Sequence, residues 1–181
     1  MFSPPSVVIR SPSPKQMWKP PLPFVKLNSD VSWNSRSKCG GLGVVVRNHE
    51  GNPIIAVSDM VSCGSAIEGK VLALRLGLLE CISKDVRFVL AETDCKDLGN
   101  FLNDLPKAPP LLVQGILQDI RFILKEFSSC IFSYISREFN VIADSLAQKA
   151  MYETCRTMWP LSTLWMKDLC NPSSCSTRIN E

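Results

Sequence analysis

The sequence has a single histidine, His49, and its eight cysteines lack the close pairing typical of zinc ligands. Zinc sites use Cys and His ligands at short spacings, whereas the two nearest cysteines, Cys170 and Cys175, are far along the chain from His49. A zinc site is therefore not expected. The N-terminus also lacks a basic start followed by an apolar stretch and a cleavage site, so the thiols are interpreted as reduced rather than as a disulfide framework.

Long apolar runs and strong net charge are absent as well. The apolar runs, among them those at 43–46 and 111–113, fall far short of the roughly 20 residues that cross a bilayer, so no membrane partner is expected. The formal net charge is only +3, and a slight excess of Lys and Arg without clustering neither supports nor excludes a nucleic-acid partner. With 45% apolar and 20% charged residues, the composition lies in the globular range.

The 181 residues suit one folded domain with two flanking segments. Residues 1–23 are rich in proline and serine, which is typical of a leader or linker. They contain basic residues and no acid, which leaves organelle targeting open, although the proline density argues against the amphipathic helix of a transit peptide. The domain is expected at 24–152. In the C-terminal extension, 153–181, apolar residues at 158–166 are expected to pack back as a short helix, and the last residues to be disordered.

Hydrophobic periodicity predicts the element order βββαβααβα within that domain. Three antiparallel strands come first, and Ser65 is expected to cap the first helix. A short apolar run after that helix indicates a buried strand reached by a crossover. Asn140 is expected to cap the last helix. The predicted elements lie near residues 24–31, 44–46, 53–57, 65–83, 86–91, 95–102, 112–127, 131–135 and from 141 onward.

Four acidic side chains lie where apolar residues are the rule. Asp30 is in the first predicted strand, Glu68 in the first turn of the first helix, Asp94 just after the fourth strand, and Asp144 beside the apolar face of the last helix. A lone carboxylate is costly in a low-dielectric setting, and several converging acids usually mean that a cation holds them together. We therefore expect these four acids to form one metal site.

An ordered set of motifs carries a family resemblance. The motifs are W-K-P-P at 18–21, K-L-N-S-D at 26–30, G-L-G-V-V at 41–45, E-T-D at 92–94 and S-R-E-F-N-V-I-A-D-S-L-A at 136–147. Together they resemble the ribonuclease H domains of plant retroelements, which occur at the C-terminal end of non-LTR reverse transcriptases and as separate reading frames. The resemblance spans about residues 18–150.

The resemblance implies an α/β, ribonuclease H-like fold. Its five-stranded mixed sheet has strands 1 to 3 antiparallel, strands 1, 4 and 5 parallel, and helices on both faces. It also implies that Asp30, Glu68, Asp94 and Asp144 are catalytic and metal-binding. In the mechanism that the resemblance implies, two Mg²⁺ ions, replaceable by Mn²⁺, would activate a water and stabilise the leaving oxygen during in-line attack on a phosphodiester. In that scheme Asp30 bridges both ions, Glu68 and Asp94 hold the first, and Asp144 completes the second.

Two departures from the family concern the loop before the last helix and the first strand. Where the family often has a histidine, this chain has Tyr134, whose unperturbed pKa of about 10 predicts slowed cleavage. Where many bacterial and viral relatives have glycine after the first aspartate, this chain has Val31, which predicts altered contacts to the minor groove. The weaker candidates for nucleic-acid contact are Lys96, Arg137 and Asn140.

Each acid also has an ordinary structural interpretation. Asp30 can be a surface acid of an edge strand, and Asp94 can cap the following helix. For Glu68, an acid favoured by the dipole at a helix N-terminus is as good an interpretation on local sequence as a metal ligand. Asp144 fits such an interpretation least, because a solvated helix face more often carries Lys or Glu.

The leading hypothesis is a divalent-metal-dependent endonuclease that cuts the RNA strand of RNA:DNA hybrids, recognised by groove shape and 2′-hydroxyls. The alternative is a nucleic-acid-binding or interaction module derived from such a domain, weak or inactive in catalysis. A third hypothesis is a two-metal nuclease with another substrate, since fold alone does not determine function. The expected state is a monomer, with a reverse transcriptase as a further partner, in the nucleus or cytoplasm.

Overall fold

The computed structural model describes residues 19–102, 108–162 and 165–166. Trp18 and the rest of the leader before residue 19 lie outside the described residues, as does the expected disordered C-terminal tail. Strands β1 to β6 span Val25–Asn34, Cys39–Arg47, Pro53–Ser62, Phe88–Thr93, Ser129–Tyr134 and Thr157–Met158. Helices α1 to α4 span Ala66–Ser83, Lys96–Leu102, Leu111–Ile123 and Val141–Ala150.

Within the described residues, six strands form one mixed sheet in the order β5-β4-β1-β2-β3-β6. Strands β1, β2 and β3 pair antiparallel, and β4 pairs parallel with both β1 and β5. This is the predicted ribonuclease H-like arrangement with one strand more. The carboxyl ends of β1, β4 and β5 therefore point to the same edge of the sheet, where ligands of α/β folds commonly bind.

The added strand, β6, comes from the C-terminal extension, where only a short helix was expected at 158–166; of that range, the described residues 165 and 166 are helical. Thr157 and Met158 pair antiparallel with Ser58 and Val57 of β3. Because β3 would otherwise be an edge strand with unpaired backbone groups, this short pairing covers the middle of its exposed side. The extension does pack back on the domain as expected, since Met166 is fully buried.

Helix α1 packs closely on one face of the sheet through its glycines. A Cβ atom on Gly69 would lie 2.6 Å from Val31 Cγ2, and one on Gly77 would lie 2.8 Å from Leu27 Cδ1. Both distances are shorter than real Cβ contacts, so a larger residue at either position would push the helix away from β1. The main core lies between this face and helices α1 and α3. The two glycines thus determine the distance between α1 and β1 and the rotation of α1 about its own axis.

Helix α4 packs on the opposite face and approaches β2 even more closely. A Cβ atom on Gly43 would lie 2.2 Å from the carbonyl oxygen of Ala143. Gly43 is also the residue of β2 that pairs with Asp30 of β1. The close contact between helix and strand therefore places the N-terminal half of α4 over the part of the sheet that carries Asp30.

Several element boundaries and one helix cap differ from the predicted ones. The fourth strand is at 88–93 rather than 86–91, so Asp94 still follows its last residue. The long third helix ends at Ile123 and continues as a short 3-10 turn to Glu126. Asn140 precedes α4 but makes no capping hydrogen bond with its side chain. None of the helices in the described parts of the chain has the length and apolar character to span a bilayer.

Candidate acid site

Asp30 is buried in the middle of β1 with only 2% of its surface exposed. Its Oδ1 accepts hydrogen bonds from the backbone N–H of Val31 at 2.8 Å and from Lys70 Nζ at 2.6 Å. Its Oδ2 is buried and has no hydrogen-bond partner. Burial raises the pKa of Asp30 more than the attraction of Lys70 lowers it. Oδ1 of this carboxylate is thus hydrogen-bonded within the protein, whereas Oδ2 has the capacity to accept a further donor or to bind a cation.

Asp94 comes directly after β4, the parallel neighbour of β1. Its Oδ1 accepts a hydrogen bond from Lys70 Nζ at 2.5 Å, and its side chain is 8% exposed. The negative charge of Asp94 is one of the causes that raise the pKa of Asp30. The parallel pairing of two strands therefore brings together two acids that are 64 residues apart in sequence.

Lys70 of α1 lies between these two carboxylates and bonds to both. Burial by itself would lower the pKa of Lys70, but attraction to Asp30 and hydrogen bonds to both acids outweigh burial and raise it. The side chain is therefore an ammonium held by two anions. We use "acid site" below for Asp30, Asp94 and Lys70 together.

Glu68 lies only two residues before Lys70 but faces elsewhere. Its Oε2 accepts a hydrogen bond from the backbone N–H of Gly64 at 2.6 Å, and its own N–H donates to Ser65 Oγ at 3.2 Å. These two bonds satisfy donors at the N-terminus of α1, much as in a capping box. Glu68 therefore occupies the ordinary helix-terminus role that the sequence left open, and Ser65 caps the helix as predicted.

Asp144 of α4 is half-buried, and its side chain lies close to residues of α4 and of the turn that precedes this helix. Its Oδ2 accepts a hydrogen bond from Gln148 Nε2 at 2.7 Å, and its Oδ1 lies 3.9 Å from a guanidinium nitrogen of Arg137. The Arg137 side chain is 80% exposed. Asp144 thus lies beside an exposed cation that is free to contact a phosphate.

Asn140, a weak candidate for nucleic-acid contact, is 1% exposed. Its Nδ2 donates to the carbonyl oxygen of Ser29 at 3.0 Å, which ties the start of α4 to β1 next to Asp30. Because so little of its surface is exposed, this side chain is not accessible to a ligand in the present conformation. Its observed role is to position α4.

A buried polar network extends from the acid site along β1. Lys26 pairs with Glu92 at 2.9 Å, and Asn28 donates to Glu92 at 2.9 Å and accepts from Arg47 at 2.8 Å. Strand alternation places Lys26, Asn28 and Asp30 on one side of β1, and all three are buried. The network holds β1 and β4 in register below the acid site through bonds between buried charged and polar groups.

Lys96 and Tyr134 lie together at the carboxyl ends of β4 and β5. Lys96 Nζ is 5.0 Å from the centre of the Tyr134 ring, a cation–π distance. Both residues line a cavity of about 260 Å³ that also includes Thr93 and Asn100. Tyr134 is the last residue of β5 rather than part of the following loop. Lys96 is exposed and lies two residues after Asp94 in the chain.

The residues that are present do not fit the two divalent ions implied by the resemblance. Among residues 19–102, 108–162 and 165–166, no group of three or more His, Cys, Asp or Glu side chains could hold a metal ion. The unpartnered Oδ2 of Asp30 would suit a cation, but Lys70 already lies against both Asp30 and Asp94. Of the four predicted acids, the structure brings Asp30 and Asp94 together with Lys70 between them. Glu68 instead bonds at the N-terminus of α1, and Asp144 bonds to Gln148.

Sequence reasoning missed Lys70, although a signal was present. Lys70 is a basic residue close to the start of a helix whose neighbouring positions are mainly apolar, and its charge is opposite to that of Glu68 two positions earlier. Residues two apart on a helix face different directions. Only one of these two side chains could therefore reach Asp30 and Asp94, and the helix rotation decides which.

Comparison with solved structures identifies the fold. A ribonuclease H1 from the halophilic archaeon Halobacterium salinarum superposes with a TM-score of 0.66 at 18% identity, over 71% of this chain and 98% of that one. LC11-RNase H1 in complex with an RNA/DNA hybrid gives 0.61 at 19% identity, over 71% and 96%. A foamy viral protease-reverse transcriptase in complex with an RNA/DNA hybrid gives 0.57 at 17% identity, over 80% of this chain and 22% of that one. The fold is that of ribonuclease H.

A family model described as reverse transcriptase-like matches residues 28–150. The chain therefore belongs to the reverse transcriptase-like family, whose ribonuclease H-like fold the structure shows. No curated protein sequence matches the chain.

Proposed function

We propose that this protein binds RNA:DNA hybrids across the face that contains the acid site and α4, and that it does not cleave them at an appreciable rate. The observation that carries the proposal is the position of Lys70 between Asp30 and Asp94. Two-metal cleavage needs ions beside the scissile phosphate to activate water and to stabilise the leaving oxygen. An ammonium that is already bonded to both carboxylates performs neither step.

Two exposed cations, one just after β4 and one just before α4, support the binding half of the proposal. Lys96 lies over Tyr134, and Arg137 lies beside Asp144. Because a hybrid is recognised mainly through its backbone, its 2′-hydroxyls and the shape of its groove, a few such contacts give binding without sequence preference. The bound hybrids of LC11-RNase H1 and of the foamy viral enzyme support the same ligand class for this chain.

Metal-dependent cleavage is the second candidate function. It is favoured by Asp30 Oδ2, which has no partner, and by the presence of Asp94 and Asp144. If divalent ions displaced Lys70 when a hybrid binds, these acids could hold them. Even then, Tyr134 in place of a histidine would slow proton exchange near neutral pH.

One experiment separates the two candidates. Labelled RNA:DNA hybrid, RNA duplex and single-stranded DNA are incubated with the full-length protein in EDTA, Mg²⁺ or Mn²⁺. Binding is read by fluorescence anisotropy and cleavage by gel. We expect the hybrid to bind most tightly and to remain intact. Hybrid-only cleavage that requires metal and is abolished by Asp94→Asn would support the nuclease instead, and absence of hybrid binding would overturn the proposal.

A matched pair of arginine variants locates the binding face. Arg137→Ala should weaken hybrid binding several-fold and lower the salt dependence by about one phosphate contact. Arg87, at the opposite end of β4, pairs with Asp85, so Arg87→Ala should leave binding unchanged. Equal effects of the two substitutions would place the hybrid on another surface.

A further inference from the structure

The rotation of α1 determines which of its side chains enters the acid site. Gly69 packs directly on Val31, and any turn of the helix about its axis would separate this contact. Lys70, the next residue, is then presented towards Asp30 and Asp94. Residues two apart in an α-helix differ by about 200° around the axis. For Glu68 to take the place of Lys70 in the acid site, α1 would therefore have to rotate about its axis. The packed glycines exclude this rotation.

Two neighbouring carboxylates in this environment need a cation. The side chains of Asp30 and Asp94 are 2% and 8% exposed, and that of Lys70 is 21% exposed. Buried charges of the same sign are strongly unfavourable unless a counter-charge and hydrogen bonds compensate. An ammonium group has three donors, and Lys70 directs donors to both acids. The chain itself thus supplies the positive charge at this point.

We infer that Lys70 is a built-in replacement for a divalent cation, so that the acid site is formed and neutralised without metal. The inference deepens the proposed function, because it explains how the hybrid-binding face can persist without divalent ions. It also identifies the residue that excludes them. The main test of this inference uses no nucleic acid. The inference can therefore fail while hybrid binding is confirmed, and hybrid binding can fail while the inference is confirmed.

A metal site should appear when Lys70 is replaced by an acid. In Lys70→Glu, the shorter side chain would direct its carboxylate towards the present position of the ammonium, leaving room there for a cation beside Asp94 and the unpartnered Oδ2 of Asp30. Three carboxylates from α1, β1 and the end of β4 are suitable oxygen ligands for Mg²⁺ or Mn²⁺. The same substitution at Lys84 provides a control, since this exposed residue is 14 positions further along the chain, about 20 Å away along α1.

The test measures Mn²⁺ binding to the full-length protein by electron paramagnetic resonance, together with the melting temperature at increasing Mn²⁺. The wild type and Lys84→Glu should show no saturable binding at millimolar Mn²⁺ and no shift in melting temperature. Lys70→Glu should bind Mn²⁺ saturably and at least ten-fold more tightly than the wild type does. Its melting temperature should rise as Mn²⁺ is added. Addition of Asp94→Asn to Lys70→Glu should abolish this gain.

A second variant keeps the test decisive if Lys70→Glu does not fold. Lys70→Gln removes the positive charge without adding a third negative one, and it should gain weaker but saturable Mn²⁺ binding. Folding of each variant is checked by circular dichroism. Saturable binding by the wild type that Asp30→Asn abolishes would overturn the inference. A folded Lys70→Gln that binds Mn²⁺ no better than the wild type would overturn it as well.

Hybrid binding provides the last measurement. If Lys70 replaces the metal, the wild type should bind a hybrid equally well in EDTA and in Mn²⁺, whereas Lys70→Glu should bind it better with Mn²⁺ than without. A wild-type affinity that falls at least ten-fold in EDTA would contradict the inference while leaving hybrid binding itself established.

Discussion

Substitution of Lys70 by methionine tests how much the internal cation stabilises the fold. Methionine keeps most of the apolar length of the lysine side chain and removes the ammonium. The variant leaves Asp30 and Asp94 facing each other with side chains that are 2% and 8% exposed. Among the described residues, no basic side chain other than Lys70 forms an ion pair with either carboxylate.

The expected loss follows from this burial. Removal of one partner from a buried ion pair typically costs about 3–5 kcal/mol, because it leaves an uncompensated charge. Since the Lys70 side chain is 21% exposed, water can reach the site, and we expect the lower end, about 3 kcal/mol. Single domains have a total stability of roughly 5–15 kcal/mol, so the variant should fold but unfold at much lower urea concentration.

Urea unfolding followed by circular dichroism at pH 7 in EDTA measures this loss. Lys84→Met, at an exposed position, should change the free energy of unfolding by less than about 0.5 kcal/mol. Combination of Lys70→Met with Asp30→Asn and Asp94→Asn removes all three charges and should recover a large part of the loss. A loss below about 1 kcal/mol for Lys70→Met, or no recovery in the triple variant, would refute the electrostatic explanation.

The loss should also depend on pH with a definite sign. Burial already raises the pKa of Asp30 above 3.8 in the wild type, and removal of Lys70 raises it further. When the folded pKa exceeds the unfolded one, the folded state binds the proton more tightly, so its stability is greatest below the unfolded pKa and falls as pH rises through the folded pKa. The deficit of Lys70→Met should therefore be smaller at pH 4 than at pH 7.

Three further predictions concern packing and thiol chemistry. Gly43→Ala should destabilise the protein by about 1–3 kcal/mol or more in urea unfolding, because the added Cβ would clash with α4. Gly115 has open space around it, so Gly115→Ala should stabilise the protein by up to about 1 kcal/mol. Asn140→Ala should cost about 1–3 kcal/mol in the same assay, because the bond to Ser29 is lost. Burial raises the pKa of Cys81 to about 12, so native-state alkylation read by mass spectrometry should spare Cys81 and modify the exposed Cys155.

Local sequence patterns were sufficient for the order of the elements. The alternation in β1 and the apolar periodicity of α1 depend on neighbours within one turn or a few strand residues, so both elements were predicted near their observed places. The same holds for the Ser65 cap and for Asp94 at the end of β4. The extra strand β6 was missed, because a two-residue pairing with β3 has no periodic signal of its own.

The sequence by itself determined the fold class, and it placed Asp30 and Asp94 at parallel strands that meet at one edge of the sheet. Only the tertiary structure decided that Lys70, and not Glu68, reaches those two acids. Both residues lie near the start of α1, and local sequence suits either one. The choice depends on the helix rotation set by the contact between Gly69 and Val31, two residues brought together only by folding.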